Sequence, residues 1–87
     1  MYFLYILRSL KDNKLYTGHT DNLERRLLEH NNGSTKSTRH RRPLKLIYAE
    51  QYKTRQEAAK REWYFKNTTD GDILKRKLIV QVEEKEY

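Results

Sequence analysis

The chain of 87 residues contains no cysteine. This absence excludes disulfide bonds and thiolate metal sites, so any metal must bind through oxygen or imidazole ligands. A chain without cysteine also fits a reducing compartment. Packing and hydrogen bonding must therefore hold the fold together.

The sequence also lacks a long apolar run. No segment reaches the roughly 18 to 20 consecutive apolar residues that a membrane span needs. The apolar start, YFLYIL, leads into charged turn sequence rather than a small-residue cleavage site. We expect a soluble cytoplasmic protein without a membrane partner.

The short length limits the chain to one core, because a domain of this size buries only about 60 to 65% of its unfolded surface. We expect one domain over residues 1–82 and a charged tail over residues 83–87 that frays. The sequence contains no internal repeat and no linker. It is expected to act as a monomer or weak dimer.

Positive charge is abundant, since 19 Lys and Arg residues against 12 Asp and Glu residues give a formal net charge of +7. Residues 1–43 carry 9 basic and 4 acidic side chains, and residues 44–87 carry 10 and 8. Such an excess suits a polyanionic partner, and nucleic acid is the first candidate. A solubilising surface charge is the alternative explanation.

Three stretches have the composition of β-strands. The first, 2-YFLYILR-8, is apolar at successive positions, as expected for a central strand covered on both faces. Asp12 and Asn13 supply turn chemistry for an antiparallel hairpin into 15-LYTGH-19. The stretch 44-LKLIYAEQY-52 alternates well enough for a third strand.

Capping patterns predict a helix on either side of the third strand. Asp21 at an N-cap with Glu24 three residues later predicts a helix from about residue 22 to residue 31, which Asn32 and Gly33 end. The polar, basic stretch 34–43 shows no periodicity and is interpreted as a loop.

The remaining sequence predicts two more helical segments. Thr54 with Glu57 forms a second capping box ahead of a helix over residues 55–67, and Thr69 or Asp70 caps a third helix that continues through residue 81. The order ββαβαα predicts a small α+β domain in which helices flank a three-stranded antiparallel sheet.

Glu62 breaks the apolar pattern of the second helix. On a helical wheel it falls inside the apolar sector that runs from Phe65 and Ala58 to Ala59 and Trp63. A carboxylate there costs several kcal/mol if it is unpaired, so it must meet a cation or a metal. A salt bridge with a nearby Arg or Lys and a metal site both satisfy this requirement.

On the first helix, Arg26 and His30 lie one turn apart at the edge of the buried stripe. A guanidinium can bind phosphate oxygens bidentately, and an imidazole can exchange a proton near neutral pH. Tyr5 and Tyr16 lie on the first two strands, and Gly18 leaves space for a substrate or a phenol. Each residue alone also has an ordinary structural role.

Together these residues resemble the GIY-YIG nuclease superfamily, whose two motifs lie on the first two strands. The matching stretches are 3-FLY-5 and 16-YTG-18, followed by Arg26, His30 and Glu62 within 61-REWYF-65. The chain departs from the motifs at Phe3, Leu4 and Thr17. The resemblance covers about residues 2–80 and is closest to small stand-alone members related to an excision-repair nuclease subunit and to structure-specific resolvases.

The resemblance implies a divalent-metal-dependent endonuclease that hydrolyses phosphodiester bonds in DNA, selects structure rather than sequence, and acts in repair or recombination. Glu62 would bind one Mg²⁺ or Mn²⁺ ion, and Arg26 would neutralise charge in the transition state. Tyr5, with Tyr16 or His30, would take the proton from water. A phenol can do so only if Arg26 and the metal lower its pKa from about 10.

The basic loop would contact backbone phosphates through Lys36, Arg39, His40, Arg41 and Arg42. Asn67 corresponds to a late polar residue of the superfamily and would join this surface. Such contacts give affinity that is sensitive to salt and largely independent of sequence, with DNA favoured over RNA. A nucleic-acid-binding module with weak or no turnover, and a protein-binding basic domain, are the alternatives.

Overall fold

The computed structural model describes residues 1–84. Its seven elements are, in chain order, β1 (Tyr2–Ser9), β2 (Leu15–Thr20), α1 (Leu23–Asn31), a 3-10 turn (Arg39–Arg41), β3 (Leu44–Tyr52), α2 (Arg55–Asn67) and α3 (Thr69–Glu84). The sheet is antiparallel with strand order β2-β1-β3. The predicted α+β class and the order ββαβαα are confirmed.

The central strand β1 buries side chains on both faces of the sheet. Leu4 and Ile6 pack in one cluster with Phe65 of α2 and Ile79 of α3. Tyr5 and Leu7 face the opposite side, where the apolar side chains of α1 cover them. Two-sided burial explains why β1 is apolar at successive positions rather than at alternating ones.

The β1–β2 hairpin has the register that brings the two tyrosine-containing stretches together. Tyr5 is paired with Gly18, and Leu7 is paired with Tyr16. Asn13 adopts a positive φ of 62° in the turn, which asparagine tolerates better than most residues. The predicted antiparallel pairing and its turn are confirmed.

The start of α1 differs from the prediction by one residue. Asn22, not Asp21, is the N-cap, and its side chain accepts a hydrogen bond from the Arg25 N–H. Asp21 forms an ion pair with the Arg25 guanidinium instead. Asn and Asp cap helices about equally well, so the pattern alone could not choose between adjacent residues. The predicted end at Asn32 is correct.

The segment 34–43 is a loop that contains one 3-10 turn, which its lack of periodicity did not indicate. Side chains outside the loop fix its two ends. The Ser9 hydroxyl donates to the Arg41 carbonyl at 2.6 Å, and the Asn31 amide exchanges two hydrogen bonds with the backbone of Leu44. The loop is therefore anchored to the sheet and to α1.

The cap of α2 is confirmed, whereas that of α3 is not. The Thr54 hydroxyl accepts from the Glu57 N–H. At α3, the Thr68 hydroxyl accepts from the Gly71 N–H, so neither Thr69 nor Asp70 has the predicted role. Both errors in capping are displacements of one or two residues between neighbouring polar side chains.

The third helix continues to Glu84, beyond the predicted end at residue 81. Glu83 lies in this helix and accepts a hydrogen bond from the Arg8 guanidinium at 2.8 Å. The part of the expected tail that is described is thus helical, and residues 85–87 lie outside the described residues. No helix within residues 1–84 combines the length and apolar character that a bilayer span requires.

Candidate active site

Tyr5 projects from the centre of the sheet toward α1 and is 2% exposed. It can lie there because Gly18 is its partner on β2. A Cβ atom at position 18 would be 2.6 Å from the Tyr5 hydroxyl oxygen, closer than real Cβ contacts allow. Gly18 therefore provides the space that the phenol occupies.

Two side chains of α1 meet the Tyr5 hydroxyl. Arg26 Nε donates to it at 3.3 Å, and His30 Nε2 lies 2.9 Å from it. The one-turn spacing of Arg26 and His30 puts both on the helix face that covers the sheet. Arg26 also contacts Glu29 at 3.3 Å, which helps to hold the guanidinium.

Tyr16 completes this group from β2. Its ring centroid lies 5.0 Å from that of His30 in an edge-on arrangement and 6.4 Å from that of Tyr5. We name Tyr5, Tyr16, Arg26 and His30 the tyrosine–histidine cluster. The structure brings together these four residues, which are spread over 26 positions of the sequence, beside Gly18.

A hydrogen-bond chain extends from the cluster into the basic loop. His30 Nδ1 lies 2.7 Å from the hydroxyl oxygen of Thr38, and both side chains are fully buried. With the proton on Nδ1, Nε2 accepts from the Tyr5 hydroxyl. With the proton on Nε2, Nδ1 accepts from Thr38 instead. The imidazole can thus relay a proton between the two hydroxyl groups.

Burial sets the protonation states of the cluster. It raises the pKa of Tyr5 to about 12, and the hydrogen bond from Arg26 opposes this rise without cancelling it. Burial, followed by the Arg26 charge, lowers the pKa of His30 to about 4. At neutral pH both groups are uncharged. The expected lowering of the phenol pKa by Arg26 is therefore outweighed by burial.

Glu62 lies on the side of α2 that faces β2. One carboxylate oxygen, Oε1, is 2.8 Å from His19 Nδ1, and the other, Oε2, accepts from Lys66 Nζ at 3.2 Å. Pairing with a nearby cation was one of the two interpretations of this residue, and the structure contains that pair. The structure also shows His19 as a second partner of the carboxylate, which the sequence did not indicate.

Lys66 lies between Glu62 and the tyrosine–histidine cluster. Its ammonium is 5.2 Å from the centroid of the Tyr16 ring while it contacts Glu62. The carboxylate does not bond directly to Tyr5, Arg26 or His30. Its charge nevertheless adds a small contribution to the raised pKa of Tyr5, after burial and the charge of Tyr16.

The donor atoms around Glu62 fit a metal only if solvent and substrate complete its coordination. Within residues 1–84, no group of three His, Asp or Glu side chains could hold an ion. Mg²⁺ commonly binds one or two carboxylates and keeps several waters or phosphate oxygens. Each oxygen of Glu62 retains a lone pair beyond its present hydrogen bond, so the single carboxylate is compatible with this type of coordination.

The chain is similar to known proteins over most of its length. A family model described as the GIY-YIG catalytic domain matches residues 1–74. A UPF0213 protein of Clostridium perfringens is 43% identical over 88 aligned residues, which cover 100% of this chain and 94% of that protein. The UPF0213 protein YazA of Bacillus subtilis is 40% identical over 97% of this chain and 80% of its own length.

The chain belongs to the GIY-YIG family. A solved structure agrees with this assignment. The solution NMR structure of the UPF0213 protein BH0048 from Bacillus halodurans is 31% identical, covers 94% of this chain and 85% of its own, and matches with a TM-score of 0.52. The two stretches that correspond to the GIY and YIG motifs are the paired strands that carry Tyr5, Tyr16 and Gly18.

The basic loop of this GIY-YIG domain presents fewer cations than its sequence suggests. Lys36, Arg39, His40 and Arg42 are exposed, but Arg41 turns inward. It forms an ion pair with Asp12 at 3.3 Å and donates to the Leu15 carbonyl at 3.1 Å. Arg41 therefore fixes the loop to the hairpin and is less exposed than the four other basic residues of the loop.

Asn67 is exposed at the end of α2, where its amide donates to the Trp63 carbonyl at 3.1 Å. It is five positions beyond Glu62 and does not take part in the cluster. Its contact is local to the helix end.

Three residues of the site had no individual prediction. Thr38 lies in a polar loop without periodicity, and the contact of His19 with Glu62 depends on packing across 43 positions. Lys66 carried a usable signal, because a Glu and a Lys four positions apart on a helix commonly pair.

Proposed function

We propose that this GIY-YIG protein is a divalent-metal-dependent endonuclease that hydrolyses phosphodiester bonds in DNA. The observation that carries the proposal is the Tyr5 hydroxyl, which lies between Arg26 Nε at 3.3 Å and His30 Nε2 at 2.9 Å. This arrangement combines a proton-transfer group with a cation suited to phosphate.

Proton transfer from the attacking water uses Tyr5 and His30 together. The phenol, with a pKa of about 12, keeps its own proton in the free protein. Tyr5 therefore accepts the water proton as it passes its own to His30 Nε2, which is neutral and able to accept. Thr38 then accepts from Nδ1–H and orients the imidazolium. Tyr16 packs against the ring and excludes water from it.

Arg26 supplies positive charge to the phosphate as negative charge develops on its oxygens. A preorganised group in this role typically contributes about 3 kcal/mol to transition-state stabilisation. Because Arg26 also bonds to Tyr5, its loss disturbs both charge stabilisation and the position of the proton-transfer group. An Arg26 variant is therefore expected to lose both charge stabilisation and efficient proton transfer.

Glu62 would hold one Mg²⁺ or Mn²⁺ ion, with water and the substrate phosphate as the other ligands. When bound, the ion would supply Lewis-acid activation of the phosphate. His19 orients the carboxylate through Oε1, and Lys66 competes with the ion for Oε2. The substrate phosphate offers Lys66 an alternative partner, which favours release of the carboxylate.

The exposed cations of the basic loop contact backbone phosphates in this proposal. Contacts of Lys36, Arg39, His40 and Arg42 with phosphates carry no sequence information, so selection would depend on nucleic-acid structure rather than sequence. Asn67 adds a polar contact at the end of α2. We further propose a role in DNA repair or recombination in the cytoplasm, which structure-selective cleavage would suit.

The proposal is tested by incubating pure protein with plasmid and branched DNA in Mg²⁺ or Mn²⁺. Nicking is expected, with losses of 100-fold or more in Arg26→Ala and Glu62→Gln, since 3 kcal/mol corresponds to a factor above 100. Retained circular dichroism spectra would show that the variants are folded. Absence of nicking of every DNA and RNA tested, in both metals, would contradict the proposal.

A nucleic-acid-binding module without turnover is a second candidate. It is favoured by the pairing of both Glu62 oxygens with protein nitrogen atoms. A salt titration of DNA binding with and without metal, in wild type and Glu62→Ala, separates the candidates. Equal binding without cleavage in all four conditions would support the module.

A further inference from the structure

Trp63 is the single tryptophan of the chain, and it lies on the surface next to Glu62. Its side chain is 61% exposed, whereas tryptophan is among the residues buried most on average. An exposed indole offers a large flat apolar face to another molecule, and tryptophan is enriched at interfaces for this reason. Its position on α2 indicates what that molecule is.

The two sides of α2 face different strands. Arg61 contacts Glu50 of β3 on one side, and Glu62 contacts His19 of β2 on the other. Trp63 is about 100° further around the helix from Glu62, away from Arg61. The indole therefore borders the side of α2 that carries Glu62, on its solvent-facing part.

Two lysines flank Trp63 at the spacing of one helical turn. Lys60 and Lys66 are three residues before and after it, so both side chains are neighbours of the indole on the helix surface. Lys66 contacts Glu62 and lies over the Tyr16 ring, which joins this surface to the active site. A flat aromatic surface between two cations matches a nucleic-acid strand, with a base on the ring and phosphates at the ammonium groups.

We propose that Trp63 stacks on an unpaired base of the nucleic-acid substrate, beside the phosphate that enters the active site. This inference deepens the proposed nuclease function and rests on it. A base paired within a duplex has no free face for the indole, so the substrate class is DNA with single-stranded or splayed nucleotides. Branched DNA and strand ends contain such nucleotides.

The first test uses the fluorescence of Trp63, which is not mixed with that of any other tryptophan. Wild-type protein is titrated with a short oligothymidylate in low salt and EDTA, so that binding is measured without hydrolysis. Stacking is expected to quench the emission in a saturable way. Unchanged emission at saturating oligonucleotide would overturn the proposal.

The second test uses variants and labelled oligonucleotides in an anisotropy assay. Trp63→Ala is expected to weaken binding of the single strand roughly 5- to 100-fold, because alanine removes one base-stacking partner. Trp63→Phe should retain most of the affinity. Binding of a long duplex, in which end base pairs are a small fraction, should change less than threefold. Val80→Ala is the matched control, since Val80 is also a large apolar side chain, 53% exposed, but on α3.

The outcomes separate this inference from the nuclease proposal. If Trp63→Ala binds single strands like wild type, or loses affinity for single strand and duplex equally, stacking is overturned even when the protein cleaves DNA. If only single-strand binding falls, stacking is supported. Because the assay contains no metal, that result stands even when wild type proves unable to hydrolyse DNA.

Discussion

Replacement of Gly18 by alanine tests how tightly the Tyr5 phenol is held. The new Cβ would lie 2.6 Å from the Tyr5 hydroxyl oxygen and 2.7 Å from Cζ, so the ring must move by nearly 1 Å to reach ordinary contact distance. That movement disturbs the hydrogen bonds with His30 and Arg26. Overpacking of this kind costs about 1 to 3 kcal/mol.

The replacement of glycine also has a stabilising effect, which opposes the cost of the clash. Alanine in place of glycine within a strand is favourable by roughly 0.5 to 1 kcal/mol because the unfolded chain loses freedom. The clash, with the lost hydrogen bonds at about 1 kcal/mol each, outweighs this gain. We expect Gly18→Ala to lower the free energy of unfolding by about 2 to 4 kcal/mol and the melting temperature by roughly 10 to 30 °C.

A double-mutant cycle in urea isolates the contact between the two positions. Tyr5→Leu removes the hydroxyl and both ring atoms that approach the new Cβ. In that background Gly18→Ala should cost less by at least about 1 kcal/mol. An equal cost with and without the Tyr5 ring would refute the reasoning, as would an unchanged melting temperature of Gly18→Ala.

Three further perturbations address protonation, metal and nucleic acid. The pKa of His30 is about 4, below the usual 6.5, so its contribution to stability is full above pH 6.5 and is lost as pH falls toward 4. Between pH 6.5 and pH 4, the free energy of unfolding measured in urea should therefore fall by roughly 1 to 3 kcal/mol less in His30→Gln than in wild type. Equal decreases in the two proteins would exclude a buried neutral imidazole. Lys66→Met removes the ammonium on Glu62 Oε2. In the presence of a short oligonucleotide it should tighten Mn²⁺ binding several-fold by calorimetry, whereas unchanged affinity would argue against competition. Duplex binding should fall with a log–log salt slope near −3 if Lys36, Arg39 and Arg42 each meet a phosphate. Lys36→Gln should reduce this slope by about 1, and Arg41→Gln should not, because Arg41 pairs with Asp12.

The fold could be predicted from the sequence because its strongest signals are local. The two-sided apolar character of β1, the turn at Asn13 and the cap at Thr54 each depend on a few neighbouring residues. Errors arose where adjacent polar residues compete, as with Asp21 and Asn22 at the start of α1. Such competition is decided by differences of a few tenths of a kcal/mol, which composition does not resolve.

The site was predictable in part. Arg26 and His30 could be paired because helical spacing puts them on one face, and Tyr5 could be added through its motif. Long-range packing was not visible, so the contact of His19 with Glu62 and the burial of Thr38 were missed. The pKa of Tyr5 also depends on total burial, which no single residue in the sequence encodes.

The most direct test of the central claim is single-turnover cleavage of a branched DNA substrate in Mn²⁺. Wild type, Arg26→Lys, Arg26→Ala and Glu62→Gln are compared at equal folded concentration. We expect cleavage by wild type, at least a 100-fold loss in Arg26→Ala and Glu62→Gln, and only partial recovery in Arg26→Lys, since lysine cannot reproduce the Nε contact with Tyr5. Cleavage at the wild-type rate by both Arg26→Ala and Glu62→Gln, or no cleavage by folded wild type, would contradict the account.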